Sequence, residues 1–290
     1  MTVRDDGQPV QAAPHPTTPT RGAATWFRVH GRLVAAGWRR GSTYRAAALG
    51  GLVANVTFGF LKVSVLTAAV AAGGGELAGY DTRAVIAYAW LSQALLGSVN
   101  LFGRIDLAGR MKDGSVAVDL LRPIDLQTST TAQEVGRALF SLLPRGVPIV
   151  VLALTIGGMR LPTDPVVLGA GLLSALLAIV VSHLVVYLVA ATGFWTVETR
   201  GLQVFYMVVA GFFAGLFVPV SIFPGWLFAL AQATPFPSML QTPVDLLSGR
   251  VVGREAALAL LAQLAWLAGA LALGQLMTRA GRRRLEVQGG

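Results

Sequence analysis

The sequence predicts an all-α polytopic membrane protein with six transmembrane helices, and three observations lead to this prediction. Hydrophobic residues make up 54% of the 290 residues and charged residues 13%, whereas a soluble globular domain carries about 25% charged residues. Several apolar runs reach the length of about 20 residues that a helix needs to cross a bilayer. The arginines collect beside these runs, as they do in the cytoplasmic loops of membrane proteins.

The N-terminal segment is predicted to lie outside the membrane core. Residues 1–22 are polar and rich in Pro and Thr, without the apolar core of a signal peptide, and we expect a disordered tail. Residues 23–45 are predicted to form an amphipathic interfacial helix, with Trp, Phe, Val and Leu on one face and Arg28, Arg32 and Arg39 on the other. A charged lead-in to the first span is the alternative interpretation.

The membrane domain is predicted over residues 46–279, and residues 280–290 form a cytoplasmic C-terminal tail. Pro144 and Pro148 should bend the third span, because a proline inside a helix removes a backbone hydrogen bond. Between the fifth and sixth spans the chain is hydrophobic but interrupted by prolines, which predicts short helices at the outer membrane boundary. The six spans are predicted near residues 46–72, 83–103, 137–159, 165–193, 203–222 and 254–278.

The distribution of basic residues predicts the orientation in the cytoplasmic membrane. Six spans place both termini on one side, and the segments on that side carry most of the Lys and Arg residues. Cytoplasmic loops are enriched in these residues, so both termini are predicted to be cytoplasmic. The net charge of +9 is explained in this way, and we expect no nucleic-acid partner.

Several kinds of chemistry lack their sequence motifs. A P-loop requires a lysine directly after a glycine, whereas Lys62 follows Leu61 and Lys112 follows Met111. The chain has no cysteine, no HExxH motif and no GxSxG motif. We therefore expect a protein that is not an enzyme and that binds no metal or cofactor of its own.

A charged stretch interrupts the apolar sequence at residues 104–125. Charges of both signs alternate there, and Leu107 and Met111 are available for packing. Such a segment is suited to docking on another protein. A solvated loop that only fixes the topology is the alternative.

Part of this stretch, DGSVAVDLLRPID at residues 113–125, resembles a segment of the permease subunits of type-2 ABC exporters, the ABC-2 family transporter proteins. GFWTVETRGLQ at residues 193–203 and FVPVSIFPGWLFALAQATPF at residues 217–236 are similar to further segments of that family. The resemblance covers roughly residues 40–280. It implies a subunit that moves an amphiphilic small molecule outward, such as a drug, a natural product or a lipid-like compound.

The resemblance also implies partners. A separate ABC ATPase subunit, in two copies, would bind ATP and Mg and drive alternating access, and a second permease, identical or homologous, would complete the pathway across the lipid bilayer. The first cytoplasmic segment would dock on the ATPase, and the second segment would contact the ATPase through Glu198 and Arg200 or hold these two residues as a local pair. The residues implied for this contact are Asp106, Leu107, Arg110, Met111, Lys112, Asp113, Arg122, Glu198 and Arg200.

Two further groups of residues are candidates for the transport path. Lys62 lies near the middle of the first span, where a lysine costs about 2.5–3.5 kcal/mol unless it reaches a polar region. Gln93, Asn100 and His183 could face the path, although hydrogen bonds between helices explain them equally well. The residues that resemble the extracellular gate of the family, or form an aromatic belt at the interface, are Phe223, Pro224, Trp226, Pro235 and Phe236.

Two other functions remain open at this stage. An ion-coupled secondary transporter or channel subunit would be expected to place carboxylates or broken helices at the membrane midplane, and no acidic residue is predicted there. A membrane scaffold without transport would not need a docking segment that responds to nucleotide.

Overall fold

The computed structural model describes residues 23–43, 45–103, 105–196 and 198–288, so the predicted tail at 1–22 lies outside the described residues. The described chain is helical apart from a short antiparallel hairpin, β1 (Glu76–Leu77) and β2 (Tyr80–Asp81). The helices are α1 (Ala23–Ser42), α2 (Arg45–Ala72), α3 (Thr82–Leu96), α4 (Asp106–Lys112), α5 (Val116–Leu120), α6 (Leu126–Ser141), α7 (Val147–Thr155), α8 (Pro165–Ala191), α9 (Arg200–Phe213), α10 (Gly225–Gln232), α11 (Gln241–Leu247) and α12 (Gly253–Gln288).

The all-α class is confirmed, and the chain is a multi-pass membrane protein. Four helical stretches are long and apolar enough to cross a bilayer. They correspond to the first, third, fourth and sixth predicted spans, and they cover Ala48–Ala72, Leu126–Thr155, Pro165–Phe194 and Gly253–Arg283.

The second and fifth predicted spans are helical only in part. The helix α3 has 15 residues and α9 has 14, fewer than the roughly 20 that a straight crossing needs. Beyond them the chain adopts left-handed backbone at Gly103 and Gly215, with φ of 67° and 83°, which an α-helix cannot include. The continuous helices predicted over 83–103 and 203–222 are therefore too long, and the six-span architecture stays a prediction.

The third span contains a local change of helix type at its prolines. A π-helical turn, Leu142–Gly146, joins α6 to α7 and contains Pro144. Pro148 lies in the first turn of α7, where a missing N–H is tolerated. Pro144 has no N–H to donate within the helix, and the π turn accommodates this missing hydrogen bond. The two prolines therefore interrupt the regular α-helix without ending it.

The helix α8 occupies the centre of the bundle. In its most apolar stretch 61% of the residues are buried, against 17% in the stretches that include α2 and α12. It packs against α6, α11 and α12, and the side chains of Ser174 and Gln263 join α8 to α12 by a hydrogen bond of 2.8 Å. The helices α6, α11 and α12 therefore all pack against the same central helix.

The amphipathic helix α1 packs along α6, in the same direction. His30 lies 3.0 Å from Thr128 Oγ1, and the ring of Trp38 meets that of Phe140 edge to face. The two backbones approach closely because both helices have glycine at the contact, Gly37 against Gln133 and Gly136 against Val34. The arginines of α1 are exposed on the side away from α6, and its placement on the membrane surface stays a prediction.

We predict that Gly37→Ala will separate α1 from α6. An added Cβ would overlap with the backbone carbonyl of Gln133, which cannot move away as a flexible side chain could. The expected loss of stability is about 1–3 kcal/mol, seen as a lower thermal unfolding temperature of the purified protein in detergent. The matched control is Gly31→Ala, which meets nothing within 4 Å and should stabilise α1 by about 0.5–1 kcal/mol. Equal unfolding temperatures for the two variants would contradict the close packing.

Candidate functional site

The first charged segment folds as a helical hairpin. The helix α4 turns at Gly114, whose φ is 76°, and the short helix α5 follows. Leu107 of α4 is fully buried in a cluster with Tyr187 and Phe194 at the end of α8. The hairpin is therefore attached to α8 by apolar packing, although its sequence is rich in charge.

The charges of the hairpin are largely paired within it. Arg110 forms an ion pair with Asp119, and Arg122 lies 3.3 Å from the other oxygen of that carboxylate. Asp113 accepts hydrogen bonds from the hydroxyl and the backbone N–H of Ser115, and these bonds hold its pKa below the usual value. The alternating signs of the sequence thus serve in part to fix the hairpin.

The two motifs on either side of α8 meet through one ion pair. Lys112 Nζ donates to Glu198 Oε2 at 2.6 Å, and both side chains are more than half exposed. The bond from Lys112 and a second from the backbone N–H of Arg200 hold the pKa of Glu198 below its usual value. An adjacent cavity of about 330 Å³ is lined by both motifs, with Met111 and Arg200 at its wall. The two predicted contact regions form one surface.

Some residues that were predicted to contact the ATPase instead pack or form bonds within this chain. Leu107 is 0% exposed, so its side chain packs within this chain and is not available to fill a groove on a partner. Met111 is half-buried against the same cluster. The carboxylate of Glu198 pairs with Lys112 and also accepts from the backbone N–H of Arg200, so the contact between Glu198 and Arg200 is made through the backbone. Asp106 is the first residue of α4.

The apolar side chains that the hairpin does present were not identified from the sequence. Val118 is 58% exposed and Leu121 is 86% exposed. Arg122 and Asp113 are exposed nearby. The signal was present in the double leucine of residues 120–121, because only one of two consecutive helical residues can face the same packing surface.

Lys62 is held by the protein rather than by a cavity. Its Nζ donates to Ser92 Oγ and to the backbone oxygen of Leu216, both at 2.8 Å, and lies 4.6 Å from the centre of the Tyr88 ring. These contacts tie α2 to α3 and to the segment after α9. A lysine at this depth is thereby satisfied within the chain, which accounts for its presence without a substrate.

The other three candidates for the transport path differ from one another. Gln93 is buried, and its Oε1 has no hydrogen-bond partner. Asn100 and His183 both line a cavity of about 430 Å³ that lies between the segment after α3 and the helices α1, α2, α6 and α8. The backbone of Asn100 is held from two sides, because its N–H donates to Ser182 and its oxygen accepts from Tyr206.

The predicted gate residues surround the short helices after α9. Phe223 stacks on Phe212, and Phe236 lies parallel to Phe213. Trp226, in the first turn of α10, is 71% exposed. The remaining two gate residues, Pro224 and Pro235, are exposed and half-buried respectively. The short helices predicted between the fifth and sixth spans are present as α10 and α11.

A buried polar network on this side of the molecule was missed entirely. Asp245 of α11 accepts from Tyr80 at 2.6 Å, from Gln241 at 2.7 Å and from two guanidinium nitrogens of Arg250 at 2.9 Å. Gln241 Oε1 in turn accepts from the backbone N–H of Val220 at 2.9 Å. The network fastens the β hairpin and the segment after α9 to α11. Its members are up to 165 positions apart, so sequence spacing gave no signal.

We predict that Asp245→Asn will destabilise the protein by about 2 kcal/mol. The substitution leaves Arg250 without its counter-charge, although the cost stays below the about 3–5 kcal/mol of a fully buried pair because Arg250 keeps some solvent contact. Thermal unfolding in detergent measures the loss. The control, Glu76→Gln, removes an exposed carboxylate from the adjacent β1 and should change little. A variant Asp245→Asn as stable as this control would contradict the structural role.

Among the described residues no group of three or more His, Cys, Asp or Glu side chains is placed to hold a metal ion.

Comparison with known proteins gives one family match and no match among the curated proteins. The family model of the ABC-2 family transporter protein matches residues 53–289. This match extends over most of the chain, from within α2 to the end of α12, and the protein therefore belongs to the ABC-2 family of transporter proteins.

Proposed function

We propose that this permease subunit exports an amphiphilic small molecule, driven by a separate ABC ATPase. Family membership supports the role of a permease in an ABC transporter. The proposal adds the outward direction, the amphiphilic cargo, two ATPase copies that bind ATP and Mg, and a second permease, identical or homologous. It also includes six spans and two cytoplasmic termini, because the basic residues favour that orientation.

The observation that carries the proposal is the surface of the α4–α5 hairpin. Val118 and Leu121 are exposed beside Arg122, whereas Leu107 anchors the hairpin from below. In our proposal these three exposed side chains contact the ATPase in place of Leu107 and Met111. Apolar residues surrounded by charges are typical of a protein interface. A loop that only fixed the topology would not need a buried anchor.

The anchor gives a route for movement into the membrane. The Leu107 cluster joins the hairpin to α8, and Arg282 of α12 donates to the backbone oxygen of Leu120 at 2.9 Å. Lys112 adds the contact with the second motif. A force on the hairpin would therefore act on the membrane helices α8 and α12 and, through Glu198, on the start of α9. A helix transmits such a force well because its backbone is hydrogen-bonded internally.

An ion-coupled carrier is the second candidate that the described residues allow us to weigh. Such a carrier needs a carboxylate that can exchange its ion or proton. The two buried acidic side chains of the described chain, Glu134 and Asp245, each form an ion pair with an arginine. Both carboxylates are compensated by fixed cations, which favours the ATP-driven alternative.

The direct test is reconstitution with an ATPase. The chain should co-purify with a co-expressed ABC ATPase subunit, and the complex in liposomes should show vanadate-sensitive hydrolysis that an amphiphilic cargo stimulates. The chain alone should transport nothing. Uphill transport by the isolated chain would contradict the proposal.

We predict opposite effects for two leucine variants of the hairpin. Leu121→Ala should leave stability within about 0.5 kcal/mol, because its side chain is exposed, yet weaken ATPase binding about fivefold or more. Leu107→Ala should destabilise the fold by about 2–5 kcal/mol, because its side chain is fully buried. Thermal unfolding and a pull-down titration separate the two outcomes. Normal ATPase binding by Leu121→Ala would remove this residue from the interface.

We predict that the Lys112–Glu198 pair couples the two cytoplasmic motifs. Lys112→Glu places two carboxylates together and should reduce substrate-stimulated hydrolysis, with little loss of stability because the pair is exposed. Adding Glu198→Lys restores the opposite charges and should restore most of the stimulation. Arg83→Glu, an exposed charge in the first turn of α3, is the control and should have no effect. A double variant no better than Lys112→Glu would show that the pair does not matter.

A further inference from the structure

We propose that a second cavity of about 430 Å³, between α10, α11 and α12, binds the uncharged sugar headgroup of an amphiphile. We name it the distal cavity, because it lies away from the α4–α5 hairpin. The helix α12 contacts that hairpin at Arg282, whereas it lines the cavity from Ala259 to Trp266, near its other end. The binding depends on neither the ATPase nor the direction of transport.

The distal cavity reaches from one membrane boundary toward the midplane. At 1.5 Å per residue, Ala259 lies about 9 Å and Trp266 about 20 Å beyond Gly253, where the span of α12 begins. The hydrocarbon core is about 30 Å thick, so both residues lie at a depth where acyl chains offer no hydrogen bonds. A polar wall at this depth therefore needs water or a polar ligand inside the cavity.

The two charged side chains of the distal cavity compensate each other. Asp245 and Arg250 form two parallel hydrogen bonds of 2.9 Å, and the carboxylate also accepts from Tyr80 and Gln241. Gln241 is saturated as well, because its Nε2 donates twice and its Oε1 accepts twice. The rest of the described lining is uncharged. The cavity therefore favours an uncharged ligand over an ion.

Four neutral polar side chains of the lining keep their hydrogen-bonding capacity. Ser221, Gln232, Ser238 and Thr242 have no side-chain hydrogen bond within the part of the chain that the structure describes. The hydroxyl of Ser221 is also screened from water, and such a group is costly to leave unbonded. Hydroxyls and an amide around one cavity match a ligand with several hydroxyl groups, because each hydroxyl both donates and accepts.

Two aromatic side chains complement these polar groups. Phe228 of α10 and Trp266 of α12 line the same cavity. A sugar ring carries hydroxyls at its rim and C–H groups on its faces, and these faces pack on aromatic rings by burial of apolar surface. A purely apolar ligand would leave the four polar side chains unbonded. The combined lining therefore fits a sugar, and the volume lies within the about 300–1,000 Å³ typical of ligand pockets.

The surroundings of the distal cavity favour a sugar attached to an apolar chain over a free sugar. Leu258 and Leu261, each next to an alanine of the lining, are exposed on α12, and Trp226 is exposed on α10. Exposed apolar side chains of a membrane span face the acyl chains of the bilayer. The headgroup would occupy the cavity, and its apolar chain would extend along this surface. Both sources present the same sugar, and the experiment distinguishes them.

The test is native mass spectrometry of the full chain in a polyoxyethylene detergent, because maltoside and glucoside detergents carry a sugar themselves. The chain is titrated with monoglucosyl diacylglycerol and, separately, with diacylglycerol and phosphatidylglycerol of the same acyl chains. The glucosyl lipid should bind about tenfold more tightly than either, because it alone offers an uncharged sugar to the free polar groups. Equal binding of the glucosyl lipid and diacylglycerol, as expected of a cavity that holds only water, would overturn the proposal. Tighter binding of phosphatidylglycerol would overturn it as well.

Methyl glucoside separates the free sugar from the lipid-attached one. It should displace the glucosyl lipid, with an affinity at least about tenfold weaker because it lacks the apolar chain. Methyl glucoside that binds as tightly as the glucosyl lipid would contradict the attachment to a lipid.

Variants assign the binding to the distal cavity. Ser221→Ala combined with Thr242→Val removes two hydroxyls that have no partner in the described chain, so the unfolding temperature should not fall. The glucosyl lipid should bind this double variant about fivefold more weakly. Trp266→Leu should weaken binding similarly, and Trp266→Phe should retain part of the affinity because it keeps a ring. Thr57→Val, which removes an exposed hydroxyl of α2 outside the lining, is the control. Unchanged affinity in both the double variant and Trp266→Leu would overturn the proposal.

Discussion

Backbone polar groups at membrane depth need partners inside the protein, and this constraint explains how the short helices α3 and α9 can exist. Their ends expose backbone groups that lipid cannot bond. Tyr206 donates to the oxygen of Asn100 beyond α3, and Ser182 accepts from its N–H. Beyond α9, Tyr88 donates to Gly215 and Lys62 to Leu216. Side chains of neighbouring helices thus supply the bonds that a longer helix would have made itself.

Side chains of the central helix α8 connect the α4–α5 hairpin to the middle of the molecule. Ser182 and His183 are consecutive residues of α8; Ser182 is bonded to Asn100 beyond α3, and His183 lines the 430 Å³ cavity beside α1. One turn further along α8, Tyr187 joins the Leu107 cluster below the α4–α5 hairpin and bonds to Thr278 of α12 at 2.6 Å. A displacement of the hairpin would therefore act directly on α8, the helix that contributes His183 to that cavity.

Sequence reasoning was strongest where a signal is local and weakest where a partner is distant. The helical class and four long spans follow from apolar composition over about 20 residues, and these were predicted correctly. The ends of α3 and α9 were not predicted, because bonds from Tyr206 and Lys62 replace the helix there, and these cross more than 100 residues of sequence. The Asp245 network was missed for the same reason. Leu107 was assigned to the contact with a partner, because a sequence pattern shows that a residue packs but does not show which surface it packs against.

The contacts of Lys62 limit how the membrane domain can move. Opening α2 and α3 away from the segment after α9 would break the bond from Lys62 to Leu216 and that from Tyr88 to Gly215. Lys62 would then keep its bond to Ser92 but lose its backbone acceptor, which costs part of the roughly 2.5–3.5 kcal/mol of an uncompensated lysine in the bilayer. The Asp245 network adds the β hairpin and α11 to the same unit. These bonds join α2, α3, α11, the β hairpin and the segment after α9 into one connected unit, and the alternating movement that we propose would break none of them if it occurred at the boundaries of this unit.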